Sequence, residues 1–340
     1  MSRWHVDGMG TRRVFLWIGC VGVLVAGPAW AEEGCGKLFP DFTSDFTCER
    51  SARPKGSVMP MSFPYLFEDP YITSGLNFVG IWHQFPHDSV FEGGQLGVLA
   101  LQVRLAITER LAFIAAKDGI AILDADNELI QNDTGFLDLG FGFKYAAWEW
   151  NGQDDQSVVL TPSLRYEAPS GQQKVFSGDG DGLLIPAISG AYHAGPWNVV
   201  ADLGGNAALD SDKNSSNVFY NIHVDHAFAS PIAHEWVKFI VPFIELNGIY
   251  WASAGDGSRK VNLKGLPSLP IGAVKPNFEG ADVVNLGNND VSGSNYVTMA
   301  WGVRFPMAAG FDIGASYERP LSDRKDITEQ RVTLNITWEM

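Results

Sequence analysis

The sequence predicts an all-β fold, a transmembrane antiparallel up-and-down β-barrel of about twelve strands. Three observations support this prediction. Residues 135–148 alternate apolar with small or polar side chains over roughly twice the length of an ordinary strand, near the roughly nine to eleven residues that a tilted strand needs to cross a bilayer. The same pattern recurs along the chain, and the connections between its repeats are alternately short and long.

The template for this pattern is the segment Gly135–Trp148. Leu139 and Phe141 fall on one parity of the segment, while Asp138 and Lys144 fall on the other. Successive side chains of a strand point to opposite faces, so one face is apolar and the other is small, polar or charged. We therefore expect the first face to meet lipid and the second to meet the lumen.

Segments of the same kind follow one another from residue 75 to the C-terminus. Besides the template they are Gly75–Phe85, Leu96–Thr108, Leu111–Lys117, Val158–Ala168, Leu183–His193, Trp197–Ala208, Val218–Phe228, Val237–Trp251, Val297–Phe305, Phe311–Arg319 and Arg331–Met340. The segment from Val237 is apolar on both parities, and only Glu245 and Asn247 indicate which of its faces meets water. Residues 118–134 are polar and are expected to form a loop.

The lengths of the connections indicate how the strands are ordered. If both ends of the barrel chain are periplasmic, every second connection must be a short periplasmic turn. The segments in these places are Thr108–Arg110, Glu149–Gln156, Ala194–Pro196, Ser230–Glu235 and Pro306–Gly310. The long Gly- and Asp-rich connections fall on the other, extracellular side, as is usual in membrane barrels, whereas a soluble sandwich has no reason to alternate its loop lengths.

The last predicted strand supports the same location. Val332, Leu334, Ile336, Trp338 and Met340 are apolar at every second position up to the C-terminus. This pattern resembles the C-terminal assembly signal of outer-membrane proteins, with Met340 in place of the usual terminal aromatic residue.

The N-terminus carries an export signal. The apolar run Val14–Gly27 follows Arg12 and Arg13 and precedes an A-x-A site at residues 29–31, which predicts a secretory signal peptide at 1–31. The two arginines also resemble a twin-arginine signal, but an ordinary positively charged signal start better suits a barrel that is exported unfolded. The predicted divisions are this signal peptide, a periplasmic N-terminal segment at 32–72, and a barrel at 73–340 in the outer membrane of a Gram-negative bacterium.

Composition narrows the possible partners and cofactors. The formal net charge of −15 argues against nucleic acid as a partner. After signal cleavage Cys35 and Cys48 remain, and a disulfide between them is the simplest expectation for an exported chain, with two free thiols as the alternative. The segment Asp210–Asn214 begins like a calcium loop but lacks the later glycine and glutamate, so neither a metal site nor a cofactor is predicted.

The lumen parity predicts the candidate site. The pore-lining candidates are Arg104, Asp138, Lys144, Arg165, Glu167, Asp202, His223, Asp225, Glu245 and Arg304. On one interpretation these side chains pair with one another and stabilise the barrel. On the other they line a narrow wet path and set its selectivity. Both interpretations can hold together.

The chain also resembles a known family at short motifs. The start Gly135–Gly140 with Lys144-Tyr145, and the strand exit Tyr166–Gly171 with the loop Phe176–Gly180, resemble the transporter family linked to the phenol meta-cleavage pathway. The resemblance covers most of residues 73–340. It implies an outer-membrane channel or transporter for small solutes, aromatic or hydrophobic compounds among them. The alternative is a structural or surface-binding barrel that does not transport.

The remaining expectations concern partners and catalysis. The partners expected for such a barrel are outer-membrane lipid and lipopolysaccharide, the barrel assembly machinery and a small-molecule solute. His223 and His226 with Asp225 suggest a hydrolase only weakly, because the two histidines have opposite parity and Ser230 is not at the spacing seen in outer-membrane phospholipases. No enzymatic activity is therefore predicted.

Overall fold

A computed structural model describes residues 53–339, except Asp154 and the ranges 232–235 and 308–309. The predicted signal peptide at 1–31 and the predicted Cys35–Cys48 disulfide lie outside the described residues, and both stay predictions. The described part of the chain is a closed antiparallel barrel with a 12-strand wall, which confirms the predicted fold class. Closure occurs at the first wall strand, which pairs with both the second and the last.

The wall strands run in chain order around the barrel. Nine of them are single segments, namely Gly75–Gln84 (β1), Gly94–Ala106 (β2), Gln156–Ala168 (β8), Leu183–Ala194 (β9), Trp197–Ala208 (β10), Phe239–Ser253 (β13), Asn295–Pro306 (β16), Phe311–Pro320 (β17) and Gln330–Glu339 (β18). The other three are built from shorter pieces, which are Leu111–Lys117 (β3) with Ile120–Ala125 (β4), Asp133–Phe136 (β5) with Leu139–Tyr145 (β6) and Trp148–Asn151 (β7), and Ser216–His226 (β11) with Phe228–Ala229 (β12).

The prediction of a loop at residues 118–134 was wrong, because the third and fourth wall strands continue through much of it. β4 pairs with residues 94–99 of β2, and β3 pairs with residues 103–106 of the same strand. The break falls at Asp118 and Gly119, where the Asp118 carboxylate accepts a hydrogen bond from Leu101 N at 3.0 Å. Gly119 has φ +122°, and a Cβ there would lie 2.6 Å from the Leu99 carbonyl oxygen, so only glycine fits. Because of this interruption, the sequence pattern does not reveal the strand that follows, which is β4.

The two ends of the barrel differ as the connection lengths predict. The short-turn end carries the connections at 107–110, 152–155, 195–196, 230–238 and 307–310. The long-loop end carries those at 85–93, 126–132, 169–182, 209–215, 254–294 and 321–329. Within the long-loop connections lie a 3-10 helix at Gln173–Val175, a hairpin of Lys260–Leu263 (β14) with Leu266–Pro270 (β15), and a short helix at Ile271–Val274 (α1). Among the described residues, no helix has the length and hydropathy needed to cross a membrane.

The two faces of the wall carry opposite chemistry. Large apolar side chains cover the outer face, and aromatic ones gather near the short-turn end, where Tyr145, Trp148, Tyr192, Trp197 and Trp338 are all exposed. The inner face carries charged and amide side chains that are buried. An apolar outer band with aromatic residues at its edge is the outer surface of a transmembrane barrel. In Phe239–Ser253 the buried Glu245 and Asn247 face inward, as predicted.

Substituting Phe141 with arginine is expected to impair assembly. Phe141 lies near the middle of the fourth wall strand with 42% of its surface exposed on the outer face. An arginine facing lipid near the bilayer midplane costs about 2–4 kcal/mol of folding free energy. The folded fraction after refolding into detergent or lipid, read from the shift between unboiled and boiled samples on a gel, measures this loss. Phe141→Leu is the matched control, and normal folding of Phe141→Arg would contradict the assigned face.

Candidate functional site

The lumen is occupied by a part of the chain that precedes the first wall strand. Residues 53–74, which we call the plug segment, start at the short-turn end, where Arg53 Nη2 lies 3.1 Å from Glu339 Oε1. The segment reaches the middle of the barrel and reverses at Phe63, whose carbonyl oxygen accepts hydrogen bonds from Leu66 N and Phe67 N. It then returns to the short-turn end and continues into β1. Its aromatic side chains are buried inside the wall.

Wall carboxylates bind the backbone N–H groups of the plug segment. Glu245 accepts hydrogen bonds from Met61 N at 2.8 Å and from Ser62 N at 2.7 Å, and it also binds the Ser62 hydroxyl. Asp202 Oδ2 accepts a hydrogen bond from Glu68 N at 3.2 Å. Because every carboxylate involved is buried, these N–H groups replace the water that the anions would otherwise need.

Wall donors bind the backbone carbonyl oxygens of the same segment. Arg165 donates to the Tyr65 and Leu66 carbonyls at 2.9 and 3.2 Å. Gln102 Nε2 donates to the Pro64 carbonyl at 2.6 Å, and Arg304 Nη1 donates to the Met59 carbonyl at 2.5 Å. The lumen therefore holds the plug segment through hydrogen bonds to main-chain groups on both sides, in addition to apolar packing.

An ion triplet also joins the wall and the plug segment. The Glu68 carboxylate receives hydrogen bonds from Arg104 Nε at 3.0 Å and Nη2 at 2.8 Å, so the guanidinium is bidentate. Lys144 Nζ donates to the same carboxylate at 2.8 Å. All three side chains are buried. Buried bidentate pairs of this kind give orientation as well as attraction, and removal of one partner is costly.

On the opposite side of the lumen, a histidine lies between two carboxylates. His223 Nδ1 is 2.7 Å from Glu245 Oε1, and His223 Nε2 is 2.9 Å from Asp225 Oδ2. Both ring nitrogens are therefore engaged, and neither can accept a proton from a serine hydroxyl. His226 lies on the other face, against the rings of Trp197 and Phe228. This arrangement gives no support to a hydrolase.

The long-loop half of the lumen is filled by the connection at 254–294, which we call the inserted loop. Its Asp282 forms an ion pair with Arg331 on β18, and its Phe278 packs against Phe91 with ring centroids 5.7 Å apart. Arg331 also contacts Glu318 on the wall at 3.3 Å. A cavity of about 10 Å³ lies between the plug segment and the inserted loop, large enough for about one water molecule.

Every predicted pore-lining side chain is buried on the inner side of the wall, but their partners differ. Glu167 pairs with Lys117 at 2.6 Å, and Arg304 pairs with Asp312 at 3.2 Å. Asp138 instead anchors a loop, because its Oδ1 accepts hydrogen bonds from Gly171 N and Gly178 N at 2.8 Å each. Whether these residues line a conducting path stays a proposal.

Sequence reasoning missed the residues that fill the lumen. Glu68, Ser62 and Asp282 lie in segments without strand periodicity, so no parity assigns them to a face. A signal was nevertheless present. The stretch from Met59 to Tyr71 is rich in aromatic and apolar residues, which is unusual for a solvated lead-in and indicates burial.

The inserted loop is expected to be held more tightly at acidic pH. Burial raises the pKa of Asp326, on the neighbouring loop, to about 6, and Asp326 Oδ1 accepts a hydrogen bond from Glu279 N of the inserted loop at 3.0 Å. Burial also raises the pKa of Glu279 itself. A carboxyl whose pKa is higher in the folded state takes up its proton there first, so the folded arrangement gains stability as pH falls through about 6 and loses it as pH rises.

Hydrogen exchange of residues 278–291, corrected for its intrinsic pH dependence, measures this effect. Exchange should be roughly ten-fold slower at pH 5 than at pH 7.5. Asp326→Asn should remove most of the difference. Equal corrected rates at the two pH values would show that this carboxyl pair does not control the loop.

Comparison with known proteins identifies similar folds. No protein-family model matches the sequence. No curated protein matches it either. Among solved structures, an outer-membrane channel from Pseudomonas putida F1 is similar at 13% identity and a TM-score of 0.48, over 84% of this chain and 100% of that one. The KdgM porin is similar at 9% identity and a TM-score of 0.40, over 78% and 99%. LpxR from Salmonella typhimurium is similar at 10% identity and a TM-score of 0.42, over 78% and 100%.

Proposed function

We propose that the protein is a gated outer-membrane channel for small solutes, closed in this structure by its own plug segment and inserted loop. One observation carries the proposal. The wall presents a charged and amide-lined inner face, and the material that fills it comes from outside the wall strands and is bound through polar contacts as well as apolar packing. A barrel of about eight strands is narrow enough to be filled by the side chains of its own wall, whereas the wider lumen of this 12-strand wall is filled by other segments of the chain.

The polar contacts between the wall and the plug segment matter because they can be exchanged for contacts with water. The hydrogen bonds that Glu245 and Asp202 accept from the plug backbone, and those that Arg165 donates to it, can each be replaced by a hydrogen bond with water once the segment withdraws. Withdrawal of the plug segment toward the short-turn end and displacement of the inserted loop at the other would leave a wet lumen. We place the short-turn end in the periplasm and the long loops outside the cell, in keeping with the usual orientation of such barrels.

The alternative is a structural or surface-binding barrel that does not transport. The observation in its favour is the fully occupied lumen, in which Arg304, Arg331 and Glu245 have no measurable exposure. Aromatic and hydrophobic solutes, which the family resemblance implies, stay part of the proposal. The proposal assigns no enzymatic role to the buried histidine and carboxylates.

Reconstitution of the full chain into planar bilayers tests the proposal. We expect a closed baseline with brief openings at high voltage, because both closing segments are held by buried ion pairs. Swelling of liposomes in sugars, amino acids and aromatic acids then identifies the solutes that pass. Absence of current from the wild type and from variants that release both segments would favour the structural barrel.

A further inference from the structure

We propose that Arg104, Lys144 and Arg165 form a carboxylate-binding site of the lumen, and that the plug segment closes the barrel by placing its own Glu68 carboxylate there. The solutes that this site would take are small organic monocarboxylates, which compete with Glu68 for Arg104 and Lys144, while Arg165 adds positive charge nearby. This inference deepens the proposed channel function and rests on it for the role of the site in transport.

The first observation in support of this site is the origin of the carboxylate that pairs with Arg104 and Lys144. Arg104 and Lys144 have Glu68 as their ion-pair partner, and Glu68 belongs to the plug segment, not to the wall. Within the described part of the chain, no other carboxylate oxygen lies within 4.0 Å of either cation. Other buried cations differ, since Lys117 and Arg304 pair with wall carboxylates.

Arg165 adds a third positive charge without an ion-pair partner among the described residues. Its two terminal nitrogens bind plug carbonyls, and its Nε is buried without a hydrogen bond. Asp202 and Glu68 attract it electrostatically. Asp202 uses one oxygen to bind Glu68 N, while its other oxygen has no hydrogen-bond partner. Even when Asp202 is counted as an anion, the three wall cations keep a net positive charge once the Glu68 carboxylate is absent.

The register of the wall brings these cations together. Arg104 lies opposite Ile114, Ile114 opposite Gly142, and Gly142 opposite Arg165, so both arginines stand on one row across four wall strands. Lys144 lies two residues from Gly142 on the same face. A single carboxylate can reach Arg104 and Lys144 at once, as Glu68 does.

Withdrawal of the plug segment removes the carboxylate and leaves the cations behind. The open lumen then carries these positive charges without the Glu68 carboxylate, and they attract an anion to the position that Glu68 occupied. A planar carboxylate matches the bidentate geometry that Arg104 already shows, which a chloride ion cannot reproduce. Binding of such a solute and closure by Glu68 are mutually exclusive, so the solute itself would favour the open state.

Rescue of Glu68→Ala by acetate tests the site. The substitution removes the carboxylate and leaves space for a small anion between Arg104 and Lys144. We expect acetate to raise the thermal unfolding midpoint of Glu68→Ala by about 2–4 °C beyond its effect on the wild type. Acetamide, the neutral analogue, should not do so. Addition of Arg104→Met to Glu68→Ala should abolish the acetate effect. Equal effects of acetate and acetamide, or an acetate effect that survives Arg104→Met, would overturn the site.

A measurement on the unmodified chain covers the case in which Glu68→Ala does not fold. Benzoate should accelerate hydrogen exchange at the Met61, Ser62 and Glu68 amides several-fold, because it competes with the plug carboxylate, whereas benzamide should not. Equal exchange with both compounds contradicts the inference.

The carboxylate site and the channel function can fail independently of each other. If acetate rescues Glu68→Ala but no variant with both closing segments released conducts, the site stands and the channel falls. If such variants conduct without any preference for benzoate over benzamide, the channel stands and the site falls.

Discussion

Replacement of Glu68 by glutamine is expected to release the plug segment from the wall. Glutamine keeps the shape of the side chain but leaves Arg104 and Lys144 buried without a counterion. Loss of one partner from a buried charge network costs about 3–5 kcal/mol. At about 1.4 kcal/mol for each factor of ten, the balance between seated and released plug shifts by roughly a hundred-fold to several thousand-fold.

Hydrogen exchange at the Met61, Ser62 and Glu68 amides reports this shift, because each amide is bound to a wall carboxylate when the plug is seated. Exchange at these positions should accelerate toward the same factor, while amides in the wall strands keep their protection. Glu339→Gln is the matched control. Glu339 also pairs with an arginine of the plug segment, but its side chain is 28% exposed and lies at the rim. If Glu68→Gln exchanges like Glu339→Gln, the ion triplet does not hold the plug.

Replacement of Arg331 by methionine is expected to destabilise the long-loop half of the barrel by a similar amount. The guanidinium joins three parts of the molecule, since it pairs with Asp282 of the inserted loop, pairs with Glu318 of the wall and lies 5.4 Å from the ring centre of Phe63 in the plug segment. Methionine leaves both carboxylates buried without a cation, which costs about 3–5 kcal/mol.

Limited proteolysis of the inserted loop and the thermal unfolding midpoint together measure that loss. Residues 278–291 should become cleavable, and the midpoint should fall. The control is Arg319→Met on the neighbouring strand, because Arg319 is 55% exposed and its contact with Glu329 spans 3.7 Å. Exposed pairs of this kind contribute little, about 0–1 kcal/mol. An Arg331→Met variant as stable and as protease-resistant as Arg319→Met would show that Arg331 does not hold the loop.

The wall could be predicted from the sequence because its physics is local. In each wall strand the side chains alternate between lipid and lumen, so Phe141 and Lys144 are assigned by parity alone. The prediction from alternation failed where the hydrogen-bond ladder between β2 and the third wall strand is interrupted. At Asp118 a side chain replaces a backbone partner and Gly119 adopts a conformation closed to other residues, so Ile120–Ala125 was hidden behind a loop-like sequence.

The contents of the lumen could not be predicted in the same way. Glu68 meets Arg104 across 36 residues of sequence, and Ser62 meets Glu245 across 183. Neither segment has a period that places its side chains, and an irregular chain inside a barrel obeys no register. Pairing of the inward charges with one another was one of the two interpretations of the sequence, and some of them do pair, as His223 does with Glu245. Arg104, Lys144 and Arg165, which have no wall carboxylate as ion-pair partner, bind the plug segment, and Arg304 binds both the plug segment and Asp312 of the wall.

We propose that two displaceable segments close a barrel that otherwise conducts. Single-channel recording from a variant that weakens both contacts, Glu68→Gln with Asp282→Asn, tests it most directly, because these substitutions act on the closing segments and leave every wall residue unchanged. We predict a sustained open level under conditions in which the wild type stays at its closed baseline. A double variant that folds, shows fast exchange in the plug segment and still passes no current would contradict the claim.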